Sequence, residues 1–563
     1  GALERRTYIS HRFRKATIPL FRDVAKLKQL FYLGYYGDAR AQKKIGFEPV
    51  PERQRYKEKP PVGRNLPDIK MYFPDGHVIE TEICVVGSGA GGAVVANQLA
   101  QRGHEVTILE AGPYMRTKDI KHDEISMTRK LYKDGGLQTT IDFDMTIFQG
   151  RCLGGSTLIN NAICINLFEN NPALLDRWQE MGATIDSSEL QASFARVGKM
   201  LSIAEIKPEI AGENARILFD GVAAIDPNKD AKYFEKNYKF CYGCGYCNWG
   251  CPYDRKLSML ETYLPQAVKD FGAKIISNCQ ALEIQKDGRR ARGVRCEYNG
   301  RELFIKADKM VVSCGTVASS LLLLNSGFTR NAGKYVSFNA AAPVIALFNR
   351  EIRGYDGVQM ASYIQMDGYL FETWFNPPMT QAVSLAGWFE EHFELMENYR
   401  KMGSIGIAMG TESNAEVVRS ALVRNLLGPV KYKMSARDLA KMKEAIVNLA
   451  RLYFAAGALK VYPPTFNASP ITRADFEDNR ITDIIDARLK KPDDFYFSTA
   501  HPQGGNIINA SPEKGVIDNN FKVHGSDNIY VCDASVFPTT VGINPQWTIM
   551  AMADYAAPRI SGK

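Results

Sequence analysis

The stretch from Glu82 to Gly112 constrains the fold more than any other part of the chain. It reads EICVVGSGAGGAVVANQLAQRGHEVTILEAG. Ile83, Val85 and Val86 form a buried-strand run, and Gly87, Gly89 and Gly92 supply a GxGxxG spacing. Ala93 to Leu99 is helix-forming, and Val106 to Leu109 is a second strand that ends in Glu110. Gly87 allows a tight turn, Gly89 lets the backbone approach a pyrophosphate, and Gly92 lets helix and strand pack closely, so that the helix N-terminus meets the phosphates. Glu110 stands where an acid accepts a hydrogen bond from a ribose hydroxyl. The plain alternative is an ordinary helix-capping loop. A strand, three glycines, a helix, a second strand and an acid at these intervals set it aside.

A chain of 563 residues with 45% apolar content can bury a large core and is expected to divide into several domains. Without a run of about 18 apolar residues or a signal-peptide core, it reads as cytoplasmic, with a peripheral membrane location open. Arg5-Arg6 is not followed by an apolar run, and a chain that begins with Gly leaves room for a removed leader and export. The net charge of +8 is lopsided: residues 1–70 hold seventeen Lys and Arg against seven Asp and Glu, and the rest is slightly acidic. The body therefore has no general affinity for polyanions, and no nucleic-acid partner is expected.

In the N-terminal arm, Leu20, Val24, Leu27 and Phe31 make a helical stripe with Leu30 alongside. The stripe can dock on the body of the protein or reach a small subunit or an anionic membrane surface. Pro49 to Pro67 reads as an extended linker. The expected divisions are an arm and linker at 1–74, a dinucleotide domain in three parts (75–163, 270–335 and 497–563), connecting helices at 164–269 and a substrate domain at 336–496. Strands are expected at Ile275 to Ile284, Gly293 to Tyr298, Leu303 to Ile305 and Lys309 to Gly315, followed by a helix from Ala318 to Asn325.

Cys241, Cys244, Cys247 and Cys251, followed by Pro252, have the spacing of a bacterial ferredoxin. An iron–sulfur cluster, 4Fe–4S or 3Fe–4S, is the leading reading, with all four or only three thiolates as ligands. Structural zinc, disulfides and buried thiols stay open beside it. The other seven cysteines are scattered, several of them in apolar runs, as buried thiols are in a reducing compartment.

The glycine fingerprint, GGSTLIN at 154–160, HPQGG at 501–505 and the DAS-x-FP…GINP ending occur in order. Together they resemble the glucose-methanol-choline flavin oxidoreductases over roughly residues 80–563. The resemblance implies an α/β and α+β fold: a Rossmann-like FAD-binding domain with a substrate domain built on a mainly antiparallel sheet. By resemblance, Gly87, Gly89, Gly92 and Glu110 bind the ADP half of FAD, Gly154, Gly155 and Asn160 border the flavin and pyrophosphate, and Asp533 with Ala534 closes over the cofactor. His501 matches the catalytic histidine. Asn544 matches the second catalytic position as it stands in the cholesterol-oxidase-like branch. A neutral imidazole is a fitting base for an alcohol proton, and an asparagine can hold the same hydroxyl without competing for that proton.

The expected activity is oxidation of an alcohol by hydride transfer to flavin, with electrons leaving through the cluster to a redox protein or quinone. An oxygen-reducing oxidase without a cluster, and a non-catalytic electron-transfer or assembly subunit, are the alternatives. Tyr363, Tyr369, Phe371, Trp374, Phe375, Met379, Trp388, Phe389, Phe393 and Met396 form an apolar stretch with few charges. A pocket drawn from it would take a bulky hydrophobic alcohol, and the segment also resembles that of long-chain alcohol oxidases.

Overall fold

The computed structural model describes residues 28, 30–374, 376–387, 389–419 and 428–562. The run Ile83 to Val86 lies inside the strand Val78–Val86, central in a seven-stranded sheet. It pairs in parallel with Val106–Leu109 on one side and Arg301–Val312 on the other. Lys274–Ile276 and Ile529–Val531 extend the parallel part, while Arg290–Tyr298 and Cys279–Asp287 add antiparallel strands. The helix Ala90–Gln101 packs against the C-terminal helix Gln546–Ser561 and against Tyr263–Lys269. This is the Rossmann-like arrangement that the glycine fingerprint requires.

The second sheet has ten strands and is mainly antiparallel. Its spine is the long strand Lys334–Leu347, flanked by Met402–Gly410 and Lys460–Tyr462. Tyr369–Thr373 and Ser362–Gln365 continue beyond Met402–Gly410. Phe497–Thr499 and Pro502–Gly505 also pair with the spine, so the HPQGG segment is anchored in this sheet. Met145–Ile147 joins through a parallel pairing with Phe497–Thr499. The segments just before and just after the FAD-loop and catalytic motifs are thereby stitched to the substrate-side sheet.

Three readings are corrected. Ile275 to Ile284 is not one strand but parts of two, Lys274–Ile276 and Cys279–Asp287. Leu303 to Ile305 and Lys309 to Gly315 are not separate strands, because one strand, Arg301–Val312, runs through both. Its first half pairs antiparallel with Arg290–Tyr298 and its last residues pair in parallel with Ile529–Val531, so Lys306 and Asp308 are exposed positions on a continuous strand. The segment from Pro49 is not linker throughout. Val50–Glu52 and Gln54–Glu58 are short helices, with Val50, Arg53 and Tyr56 buried against the body.

In the arm, Leu20, Val24 and Leu27 lie outside the described residues, while Leu30 and Phe31 face outward. Tyr32 and Tyr36, spaced i and i+4, are the packing positions. Tyr32 stacks on His392 with ring centroids 3.8 Å apart, and the Tyr36 hydroxyl lies 3.5 Å from His392 Nδ1. The aromatic stretch is mostly core: Tyr363, Tyr369, Phe371, Met379 and Met396 are buried, Tyr363 stacks on Phe234, and Phe393 is exposed. Phe375 and Trp388 lie outside the described residues, as does the Phe389 side chain. No described helix is long and apolar enough to cross a membrane.

Candidate active site

At the glycine turn the backbone geometry explains the residue type. Gly87 has φ +105°, and a Cβ there would fall 2.2 Å from the Ser313 carbonyl oxygen. A Cβ on Gly92 would fall 1.9 Å from the Gly87 carbonyl oxygen, so only glycine lets helix and turn close up. Gly89 is the N-cap of Ala90–Gln101 and offers no side-chain cap to the first turn. Its Cβ position is open apart from Gly155 Cα at 3.9 Å. An uncapped twelve-residue helix at an open glycine is a fitting seat for a pyrophosphate.

Ser88, which the motif reading passed over, is fully buried and joins three pieces. Its hydroxyl donates to Glu110 Oε2 at 2.6 Å and accepts from the Gly154 N–H at 3.0 Å. Glu110 also accepts from the Gly112 N–H at 2.8 Å. Burial raises its carboxyl above the ordinary range, against these hydrogen bonds. Gly154 is left-handed at φ +87°, which turns the chain so that Gly155 meets the fingerprint loop. Asn160 is held by the C-terminal helix, its amide donating to Gln546 Oε1 at 2.7 Å. Asp533 accepts from the Gly315 N–H at 2.8 Å and the Ser319 hydroxyl at 2.5 Å, and Ala534 opens the short turn that follows. These FAD-assigned residues occupy the same end of the parallel strands.

The two residues expected to be catalytic, His501 and Asn544, are joined by a residue that sequence reasoning missed. Asn339, on the spine strand and 1% exposed, donates to the Ile543 carbonyl at 2.7 Å and lies 3.4 Å from His501 Nδ1. Its own Oδ1 accepts from the Thr540 hydroxyl. One asparagine thus fixes both the His501 loop and the GINP loop. His501 is half-buried, and loss of water around the ring pushes its imidazole down to about 4, so the ring is neutral near pH 7. A neutral imidazole keeps one bare nitrogen that can take a hydroxyl proton.

Asn544 is buried, and among the described residues its Oδ1 has no hydrogen-bond partner. Glu372 lies against it from Tyr369–Thr373 and accepts from the Trp374 indole N–H at 3.1 Å. Burial pushes the Glu372 carboxyl up to about 7, with hydrogen bonding to Trp374 and Asn544 acting the other way. No local motif surrounds Asn339 or Glu372. Their one sequence signal is a polar residue on a strand whose neighbours are apolar.

The four thiols of Cys241, Cys244, Cys247 and Cys251 are all free and line one cavity of about 30 Å³. Among the described residues no group of three or more His, Cys, Asp or Glu side chains is arranged to hold a metal ion. The Gly243 N–H donates to Cys241 Sγ, and the Arg255 N–H to Cys251 Sγ, each at 3.3 Å. Lys236 and Lys256 also line the cavity, both nearly fully buried. Among the described residues neither makes an ion pair with a carboxylate. Burial pushes the Cys241 thiol up to about 12 and raises those of Cys244 and Cys251, while it lowers both lysines, Lys236 to about 8. The former linker closes the outside: Arg53 donates to the Cys244 carbonyl at 3.1 Å and Tyr56 to the Tyr242 carbonyl at 2.9 Å.

Residues 128–343 and 425–553 match the two family profiles described as GMC oxidoreductase, and residues 85–132 match an NAD(P)-binding Rossmann-like domain. An uncharacterised GMC-type oxidoreductase of Mycobacterium tuberculosis is 28% identical, over 84% of this chain and 75% of its own length. A long-chain-alcohol oxidase of Arabidopsis thaliana is 25% identical, over 86% of this chain and 68% of its own. A cholesterol oxidase of Acinetobacter baumannii is 24% identical, over 85% and 94%. Among solved structures, pyridoxine 4-oxidase from Mesorbium loti shares the fold with a TM-score of 0.64 at 14% identity, covering 86% of this chain and 99% of that one. A formate oxidase of Aspergillus oryzae does so with 0.63 at 16%, covering 87% and 99%.

Proposed function

The chain belongs to the GMC oxidoreductase family, and on that premise we propose that it is an FAD-dependent dehydrogenase of a hydrophobic alcohol. The observation that carries the reading is Asn339, which brings His501 and the Asn544 loop to one place. FAD, when bound, supplies the acceptor for the hydride. Gly87, Gly89 and Gly92 with the uncapped helix would hold its pyrophosphate, and Ser88, Glu110 and Gly154 would order the loops on either side.

At the substrate, His501 takes the hydroxyl proton as the carbon gives up its hydride, so the alcohol becomes an aldehyde or ketone. Asn544 can orient the hydroxyl oxygen by donating from its amide N–H, leaving the hydroxyl proton to His501. Around the pair, Asn339, Thr540 and Trp374 offer neutral groups, and Glu372 is the one carboxyl. The buried Lys236 ammonium acts electrostatically on Glu372 and donates to the Gln359 carbonyl. The names of the alcohol oxidase and cholesterol oxidase relatives agree with a long-chain, terpenoid or sterol alcohol. A substrate panel tests this: turnover of long-chain alcohols or sterols is expected, and a clear preference for glucose, fructose or choline overturns it.

The cysteine cavity supports the finer reading that electrons leave one at a time through an iron–sulfur cluster held by Cys241, Cys244, Cys247 and Cys251, toward a redox protein or quinone. Bound there, the cluster would supply one-electron transfer, and the two lysines would offset its negative charge. Iron and sulfide analysis with electron paramagnetic resonance of the reduced protein tests it. Iron-free protein after anaerobic isolation returns the function to an oxygen-reducing oxidase.

A further inference from the structure

Lys256 stands between the two sites. Its ammonium has three protons, and the structure uses all three on main-chain carbonyls. It lies 2.7 Å from the Leu158 oxygen, 2.9 Å from the Asn160 oxygen and 2.8 Å from the Cys247 oxygen. Leu158 and Asn160 belong to the loop that begins at Gly154, while Cys247 opens the short turn Cys247–Trp249 beside the thiol cavity. The backbone beside Lys256 is pinned on both sides. The Leu257 N–H donates to the Asn237 carbonyl at 2.9 Å, and the Met259 N–H to the Thr157 hydroxyl at 3.2 Å. The ammonium therefore cannot follow one loop without moving the other. It is 4% exposed and its direct partners are neutral carbonyls, so its field, offset in part by the buried Glu261 carboxyl, is little screened by water.

We propose that Lys256 is a positioning residue that makes the FAD-facing loop and the thiol cavity one unit, so that a change of charge or occupancy in the cavity is felt at the flavin. The inference rests on the reading that FAD borders the Gly154 loop and that the cavity holds an anionic thiolate centre. Lysine fits this role because three converging bonds need a compact ammonium. Arginine's planar fork would spread them, and glutamine would supply two protons and no charge.

The test is a double-mutant cycle on anaerobically isolated, FAD-loaded protein, with Cys244→Ser as the cavity change because its backbone does not touch Lys256. Visible circular dichroism of the flavin and its midpoint potential are read in the parent, Cys244→Ser, Lys256→Gln and the double variant, with iron and sulfide measured in each. Cys244→Ser is expected to shift both signals in the parent and neither in the Lys256→Gln background. An equal shift in both backgrounds overturns the coupling, as does a Cys244→Ser variant whose flavin is unchanged. Should Lys256→Gln fail to fold, Lys256→Arg carries the same cycle. A diminished response there supports the proposal, and an undiminished one overturns it. Iron content separates the two claims: iron-free parent protein sinks the cluster, while the cycle alone decides the role of Lys256.

Discussion

The groups around His501 and the cavity at Cys244 are both largely buried, yet they differ in charge. Around His501 the groups are amides, hydroxyls and a neutral imidazole, and Glu372 is pushed up to about 7 by burial. Around Cys244 two ammoniums lie close to sulfur, with backbone carbonyls as hydrogen-bond partners. A neutral pocket suits a neutral alcohol that loses a proton and a hydride together. A cationic wall suits a centre that stays negative. On the proposed reading, bond-breaking belongs to one site and electron exit to the other, and four experiments can break or sharpen that division.

The largest expected effect is at His501. Replacing it with Ala should slow anaerobic flavin reduction by about 100 to 10,000-fold while FAD stays bound, since one positioned general base is lost. Rapid-mixing absorbance reads it directly, and a parent-like rate would leave only the fold in common with the family. In the parent, protonation of His501 itself should lower the rate only near pH 4, because the ring is already neutral above its lowered pKa.

Next comes Cys247→Ser, which should leave the first flavin reduction nearly unchanged and slow reoxidation by a one-electron acceptor. If it slows reduction instead, the two sites are not divided as described. Asn544→Ala should cost roughly tenfold in flavin reduction, about the worth of one hydrogen bond, because proton acceptance survives. Glu372→Gln should remove an inflection near pH 7 from the same profile, and its persistence would assign that inflection elsewhere.

The smallest effect concerns the arm. Burial pushes His392 from 6.5 down to about 4, so the unfolded segment binds the proton more readily. Docking of Tyr32 and Tyr36 is therefore complete above about 6.5 and weakens as pH falls toward 4. Limited proteolysis within residues 30–47 should be faster at pH 5 than at pH 7. Equal rates would mean that the ring stack does not hold the arm.

The strand, glycine turn and helix at 82–112 were legible because each depends on residues close in sequence: apolar runs, glycines where a Cβ would collide, and an acid at a strand end. His501 and Asn544 stand out in the sequence through motifs in nonperiodic loops, and the structure brings those loops together on Asn339. Tyr32 and Tyr36 were not, since their value comes from one partner, His392, more than 350 residues away. The break placed between Leu303–Ile305 and Lys309–Gly315 came from reading exposed polar residues as a gap. They are one side of a strand whose hydrogen-bond partners change along its length.

By itself the sequence determined the Rossmann-like unit, the family's motif order and the presence of four clustered thiols, because backbone sterics and short spacings act locally. Tertiary structure alone decided that Ser88 joins the fingerprint to the Gly154 loop and that Asn339 joins His501 to Ile543. It also decided that Lys256 ties Cys247 to Leu158 and Asn160. Each of these is a single polar side chain satisfying buried carbonyls, hydroxyls or N–H groups far away in the chain. A buried polar group must find a partner somewhere, but which partner it finds depends on the packing of sheets and loops that no local pattern encodes.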